Sequence, residues 1–329
     1  MTSKERVKRA VAYEKVDRPP AGLFGTHVEY EEGLASFIGV DSVEAMYRSL
    51  GVDIWHSKVG LTYVGQGGQM GKTDENPQPF ADMTSIDEVE AHPFATPDDF
   101  DATEFVEHIK AHQEFAVCGG INSAIFHHYL WMCGQENGLC LLKTDPDLAK
   151  AMIRRITDFF AGYLRKLLDA GNGMIDLIEN CNDFGTQRSM FISAEDFREF
   201  FKMPIKRLCD TAKEFGALYM QHSCGSISPI IDDFIEMGAD ILNPIQVEAD
   251  GMDLDELVRR HKGSITFYGG IDTQRLLPHG PEELIRDEVR QLKDRFGLGG
   301  GLIMAGSQGL MDDIPYSHAV AMLHENRNI

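Results

Sequence analysis

The stretch GALYMQHSCGSISPIIDDFIEMGADILNPIQ, residues 216–246, contains one full repeat of the fold. A short apolar run, Leu218–Met220, leads into a polar, Gly-containing turn. A helical period over 226–237 follows, and Gly238 stands where a left-handed residue would stop it. A second apolar run begins at Ile241–Leu242. The same alternation extends outward in both directions. Further apolar runs lie at Ala21–Phe24, Val52–Trp55, Phe115–Cys118, Met174–Ile178, Ile265–Tyr268 and Leu302–Met304. Helical patterns cover 3–14, 41–50, 145–169, 194–215, 253–261 and 281–295, with Ser193 and Gly280 placed as helix starts. Eight short runs separated mostly by helices predict an α/β chain with a parallel sheet, and eight is the number that closes a (β/α)8 TIM barrel in a single domain, residues 1–329. A doubly wound sheet would need a Gly-rich phosphate turn after the first strand. The residues there, LFGTHVEYEEG at 23–33, offer none.

One segment breaks the rhythm. Residues 60–100 carry Gly65, Gly67, Gly68 and Gly71 at one end and Pro77, Pro79, Pro93 and Pro97 at the other. They read as a long insertion after strand two. In a barrel this places them on the catalytic face, as a lid.

Composition narrows the function classes. The 329 residues are 43% hydrophobic and 25% charged, ordinary for a folded soluble domain. A chain this long buries about three quarters of its unfolded surface, so it needs neither disulfides nor metal to fold. Acidic residues outnumber basic ones by 52 to 31, for a net charge of −21, and no Lys/Arg-rich run interrupts this. Nucleic acid and anionic membrane surfaces are therefore not expected partners. No stretch approaches the ~20 apolar residues of a membrane span, and residues 1–20 lack the apolar centre of a secretory signal. Six dispersed cysteines are too few for a disulfide scaffold and fit reduced thiols in a cytoplasmic protein.

Barrel chemistry sits at the C-terminal ends of the strands. In order, those ends carry His27; His56 and Lys58; Cys118 and Asn122; Glu179, Cys181 and Asp183; His222 and Cys224; Gln246 and Glu248; Tyr268 and Asp272; Ser307 and Gln308. Gln221-His222-Ser223-Cys224-Gly225 is the sharpest signal. Residues two apart on a strand face the same side, so His222 and Cys224 project together as a zinc-type pair. A buried thiol beside a core histidine is the plain alternative. Zinc in a catalytic site wants a third protein ligand and an open position. Glu179, Cys181 and Asp183 share one parity on strand four, next to strand five, and any of them could face His222; Gln246 could approach from the other side. Asp183, at the head of Asp183-Phe184-Gly185-Thr186-Gln187, could meet a polar substrate group or act as an acid/base, or simply cap the following turn. Of the adjacent His127 and His128, at most one can face a pocket from a helix.

These residues resemble a known family. HSCGSISPIIDDFIEMGADILNPIQ, FYGGIDTQRLL followed by GPEELIRDEVRQLKDRF, and the N-terminal RVKRAVAYEKVDRPP resemble the uroporphyrinogen decarboxylase superfamily, from about residue 4 to 325. That resemblance also implies a (β/α)8 barrel. One branch of the superfamily decarboxylates a tetrapyrrole without a cofactor and holds its carboxylates with an Arg-rich N-terminal motif. Here AGLFGTHVEYEEG follows Arg18-Pro19-Pro20 and contains no arginine, which speaks against that branch. The other branch comprises cobalamin-dependent methyltransferases acting on coenzyme M or on methyl ethers, and it resembles this chain in the His-x-Cys of His222 and Cys224. The coenzyme M enzymes add a cysteine near the last strand, where this chain has Ser307 in LIMAGSQGLMDDIP.

The resemblance implies a zinc-dependent methyltransferase that moves a methyl group between a small methoxylated substrate and a corrinoid protein. His222, Cys224 and Glu179 are the expected Zn2+ ligands, the carboxylate standing in for the missing thiolate. Asp183 is the expected catalytic group, and His27, His56, Gln187, Gln246 and Tyr268 the expected substrate-binding residues. Cobalamin would arrive on the separate corrinoid protein, because the chain has no Asp-x-His-x-x-Gly cobalamin signature. A homodimer is left open. The alternatives are a metal-independent decarboxylase using Asp183 and a histidine, and a non-catalytic corrinoid-partner protein.

Overall fold

The computed structural model describes residues 1–66, 68–71, 76–120 and 125–328. Asn122 and part of the 60–100 insertion lie outside them. Among the described residues, seven parallel strands form one curled sheet in chain order: Ile54–Ser57, Ala116–Gly120, Leu177–Cys181, Leu218–His222, Ile241–Ile245, Thr266–Ile271 and Leu302–Gly306. The first predicted run closes the curl without becoming a regular strand. Ala21 bridges to Met304 on one edge strand and Gly22 to Ile54 on the other. Eight staves therefore surround the lumen, and the TIM-barrel expectation holds.

The runs form strands because both faces of each are covered. Ile54, Ala116, Leu177, Met220, Ile241 and Ile303 fill the lumen, joined by Val7. Val7 comes from the N-terminal helix Ser3–Val11, which plugs the bottom of the barrel; Thr2 caps this helix by accepting the Glu5 amide at 3.2 Å. The outward side chains pack against the ring of helices, among them Pro146–Gly171, Lys202–Glu214 and Glu282–Phe296.

Several local details differ from the sequence expectation. The segment after the first stave is a helix, Val28–Phe37, that the acidic EYEEG sequence concealed. The 194–215 helix is interrupted by a wider turn at Phe197–Phe201, whose phenylalanines pack on Phe184, Phe126 and Phe234. The insertion contains a small antiparallel pair, Thr62–Tyr63 with Phe100–Asp101, and a helix, Ile86–Ala91, started by a Ser85/Glu88 capping box. Its described part is tied to outer helices. Tyr163 Oη accepts the Leu61 amide at 2.8 Å, Arg155 donates to the His92 carbonyl at 2.7 Å, and the Phe80 amide donates to the Met132 carbonyl at 2.8 Å.

Candidate active site

Strand register decides which side chains meet at the top of the barrel. Cys181 pairs with His222 and Glu179 with Met220. Side chains two apart share a face, so Asp183, just past the strand end, comes level with Cys224. The chain stays close beyond the strands: the Asn182 amide donates to the His222 carbonyl at 3.0 Å and the Phe184 amide to Ser223 Oγ at 3.0 Å. The next loops touch backbone to backbone. A Cβ on Gly185 would lie 2.7 Å from the Cys224 carbonyl oxygen, so the crossing requires a glycine there. Gly225 turns with φ of +81°, the left-handed region that glycine enters freely.

These constraints bring Asp183, His222 and Cys224 together, with one donor atom from each within 4.8 Å of the others. His222 Nε2 lies 3.2 Å from Asp183 Oδ1 and 3.2 Å from Cys224 Sγ. The Cys224 amide also donates to Asp183 Oδ1 at 2.9 Å. Behind the ring, His222 Nδ1 donates to Asn243 Oδ1 at 2.6 Å, which leaves Nε2 facing the carboxylate and thiol. Asn243 is level with His222 on the neighbouring strand and 1% exposed. Burial works against charge on His222, but Asp183 and Cys224 outweigh it and hold the imidazole pKa well above its ordinary value. Burial likewise opposes ionisation of Asp183, but the hydrogen bond and charge of His222, with the Cys224 amide, hold this carboxyl well below the usual range.

Glu179 belongs to a different group. The carboxylate beside the His222–Cys224 pair is Asp183, while Glu179 joins His56 and Cys118. His56 Nδ1 is 3.2 Å from Glu179 Oε2, and Cys118 Sγ is 3.6 Å from the same oxygen. His56 Nε2 is 2.9 Å from Tyr268 Oη, which also accepts the Phe24 amide at 3.3 Å. This pattern assigns the tyrosine proton to His56 Nε2 and the imidazole proton to Nδ1, donating to Glu179. Burial, and then the neighbouring Glu179 charge, push the Cys118 thiol well above its ordinary pKa.

A cavity of about 660 Å³ opens onto the Glu179 group, lined by Phe24, His27, His56, Lys58, Glu179 and Cys181 among others. Phe24, on the wall of this cavity, packs its ring 4.8 Å from the His222 ring. A second cavity of about 580 Å³ shares His56 and Lys58 and is lined by Glu31, Glu32, Asp41 and Glu44. Among the described residues lining the two cavities there is no arginine. The one lysine, Lys58, is held by Glu31 Oε2 at 2.5 Å and by the Thr26 carbonyl at 3.0 Å.

The remaining expected residues take different places. His27 is exposed on the cavity wall. Tyr268 and Gln246 are buried; Tyr268 holds His56, and Gln246 Oε1 accepts the Gly225 amide at 2.9 Å, supporting the turn after Cys224. Gln187 is exposed and lines neither cavity. His127 faces inward, 3.9 Å from Asp183 Oδ2, whereas His128 packs edge-on against Phe160. Ser307 Oγ is engaged by Thr273, and it is Gln308 that reaches Cys224 Sγ, at 2.9 Å. Asn243 was legible only as a polar residue inside the apolar run ILNPI.

Residues 57–329 match the uroporphyrinogen decarboxylase (URO-D) family. The chain belongs to this family. Over 161 residues, 49% of this chain, it is 28% identical to a methylated-thiol–coenzyme M methyltransferase of Methanosarcina mazei, and the match covers 40% of that relative's length. A solved methyltransferase structure from the same organism superposes with a TM-score of 0.72 at 18% identity, covering 99% of this chain and 98% of that one. At that identity the likeness speaks for a shared fold. Among the described residues, no helix is long and apolar enough to cross a membrane.

Proposed function

We propose that this URO-D family protein is a zinc-dependent methyltransferase that passes a methyl group between a small methylated substrate and a corrinoid protein. The observation that carries this reading is the convergence of Asp183 Oδ1, His222 Nε2 and Cys224 Sγ at the mouth of the barrel. One oxygen, one nitrogen and one sulfur donor supply the three protein ligands that a catalytic zinc site uses, its fourth position being taken by water or substrate. Asn243 fixes the His222 ring from behind, as groups behind metal-bound histidines do. In this reading Asp183 takes the ligand role expected of Glu179. Bound zinc would supply Lewis acidity toward a substrate heteroatom.

The chain's own residues divide the remaining work. Glu179 is held through one oxygen by His56 and Cys118, and it offers its carboxylate to a hydrogen-bond donor on a substrate in the 660 Å³ cavity. Phe24 lines that cavity and packs on the His222 ring, so it gives a substrate reaching from the cavity toward the donor set an apolar neighbour. A polycarboxylate would find no arginine clamp among the described lining residues, which favours methyl transfer over tetrapyrrole decarboxylation. The M. mazei relative, named for methyl transfer, supports the same choice. Corrinoid would be carried by the partner.

The test is metal analysis of the purified protein after zinc reconstitution, followed by transfer of methyl groups from a panel of methyl ethers to cob(I)alamin. About one zinc per chain is expected, lost in His222→Ala, together with ether-dependent methylcobalamin formation. A protein that stays metal-free after reconstitution would overturn the reading.

A further inference from the structure

We infer that Gln308 is a positioning residue that tunes Cys224: its side-chain N–H donates to the Cys224 sulfur and sets how strongly that sulfur can donate to a metal. This rests on the metal reading above. Gln308 Nε2 lies 2.9 Å from Cys224 Sγ. The geometry is built, because the segment around Gln308 is clamped on both sides. Before it, Ser307 donates its amide to the Ile271 carbonyl at 2.7 Å, while its Oγ meets Thr273 Oγ1 at 3.1 Å and the Thr273 amide at 3.2 Å. After it, Gly309 presses on the first stave's loop so closely that a Cβ would sit 2.2 Å from the Gly25 carbonyl oxygen. The Leu310 amide then donates to Thr26 Oγ1 at 3.1 Å. Gln308 therefore reaches the sulfur from a fixed base, and Ser307 is turned away from it.

The chemistry follows from charge. A hydrogen bond to a thiolate withdraws electron density and weakens it as a donor, and partners that touch a ligand tune the metal in this way. Asp183 and Cys224 as anions balance a divalent ion, and Gln308 adds a dipole without adding charge. A neutral centre with a weakened sulfur donor is a harder Lewis acid, matched to a neutral oxygen-bearing methyl substrate rather than to a soft thiol. Gln308 is thus a specificity-setting contact on the last stave.

Cobalt(II) substitution of the full chain reads this directly, through the sulfur-to-cobalt charge-transfer band. Gln308→Leu removes the donor and should move the band to lower energy while cobalt stays at one per chain, with affinity changed by about tenfold, the low end for a group that touches a ligand. Gln308→Ala, which leaves room for a water, should move it in the same direction by less. If Gln308→Leu does not fold by circular dichroism, Gln308→Ala carries the test. A band unmoved in the folded variants overturns the inference and leaves the metal reading standing. Wild-type protein that binds no cobalt, or binds it without a sulfur band, overturns the metal reading and this inference with it.

Discussion

Two pairs of carboxylates, one at each end of the barrel, are matched in different ways. At the bottom, Asp53 precedes the Ile54–Ser57 strand and is 1% exposed. Arg6 meets it at 2.5 Å and Arg18 at 2.7 Å, and the Ala21 amide and Ser3 hydroxyl donate to it as well. Asp176, at the foot of Leu177–Cys181, is met by Lys4 at 2.8 Å and Lys8 at 3.0 Å. Both carboxylates face basic side chains. At the top, Asp183 and Glu179 face imidazoles and thiols, groups that can change charge or accept a metal. Stability is concentrated where charges are permanent and matched, and chemistry where they are exchangeable, as barrels generally divide the two.

The largest expected effect breaks the bottom. Asp53→Ala leaves Arg6 and Arg18 without their buried partner and should cost about 3–5 kcal/mol, the usual penalty for orphaning a buried charge. Chemical denaturation of metal-free protein measures it. Cys224→Ser, at the top, should cost under about 1.5 kcal/mol in the same assay, within the range of a single hydrogen bond. Equal losses at the two ends would remove the contrast.

A smaller effect sharpens it. Tyr268→Phe removes the hydroxyl that holds His56 Nε2. It should weaken substrate binding in the Glu179 cavity while leaving zinc content at one per chain. Zinc lost from Tyr268→Phe would mean that the two top groups act as one.

A pH-dependent effect concerns Glu248. Burial, with the nearby Asp272 carboxylate, pushes the Glu248 pKa up to about 7. An unfolded glutamate titrates near 4.3, so between these values the folded chain holds a proton that the unfolded chain releases. The contribution of Glu248 therefore falls as pH rises from about 4.5 to about 7. Glu248→Gln should gain stability relative to wild type across that window and show no pH-dependent gain below it, as read by thermal melts at stepped pH. Parallel curves for the two proteins would place Glu248 in open solvent.

The fold was legible because apolar runs and helix signals recur at barrel spacing, and even the weakest stave, Ala21–Phe24, appears as the bridge at Ala21 and Gly22 that closes the curl. The His222–Cys224 pair was legible because alternation along one strand fixes a face. The carboxylate partner was not. Alternation gives Glu179, Cys181 and Asp183 one face, but only the register says which level meets His222. That register sets Cys181 beside His222 and sends Glu179 down toward Met220 and Gly120. Gln308 was legible as a strand-end residue, but its contact with Cys224, like that of Asn243 with His222, joins different staves and leaves no mark in local sequence.

The most direct test of the central assignment is a zinc competition titration on Asp183→Asn and Glu179→Gln side by side. Asp183→Asn should weaken zinc binding by at least about 10–100-fold, no less than the loss of a group that merely supports a ligand. Glu179→Gln should stay within about threefold of wild type, below that supporting range. If Glu179→Gln strips the metal while Asp183→Asn keeps it, the donor set at the top of the barrel is not the one assigned here.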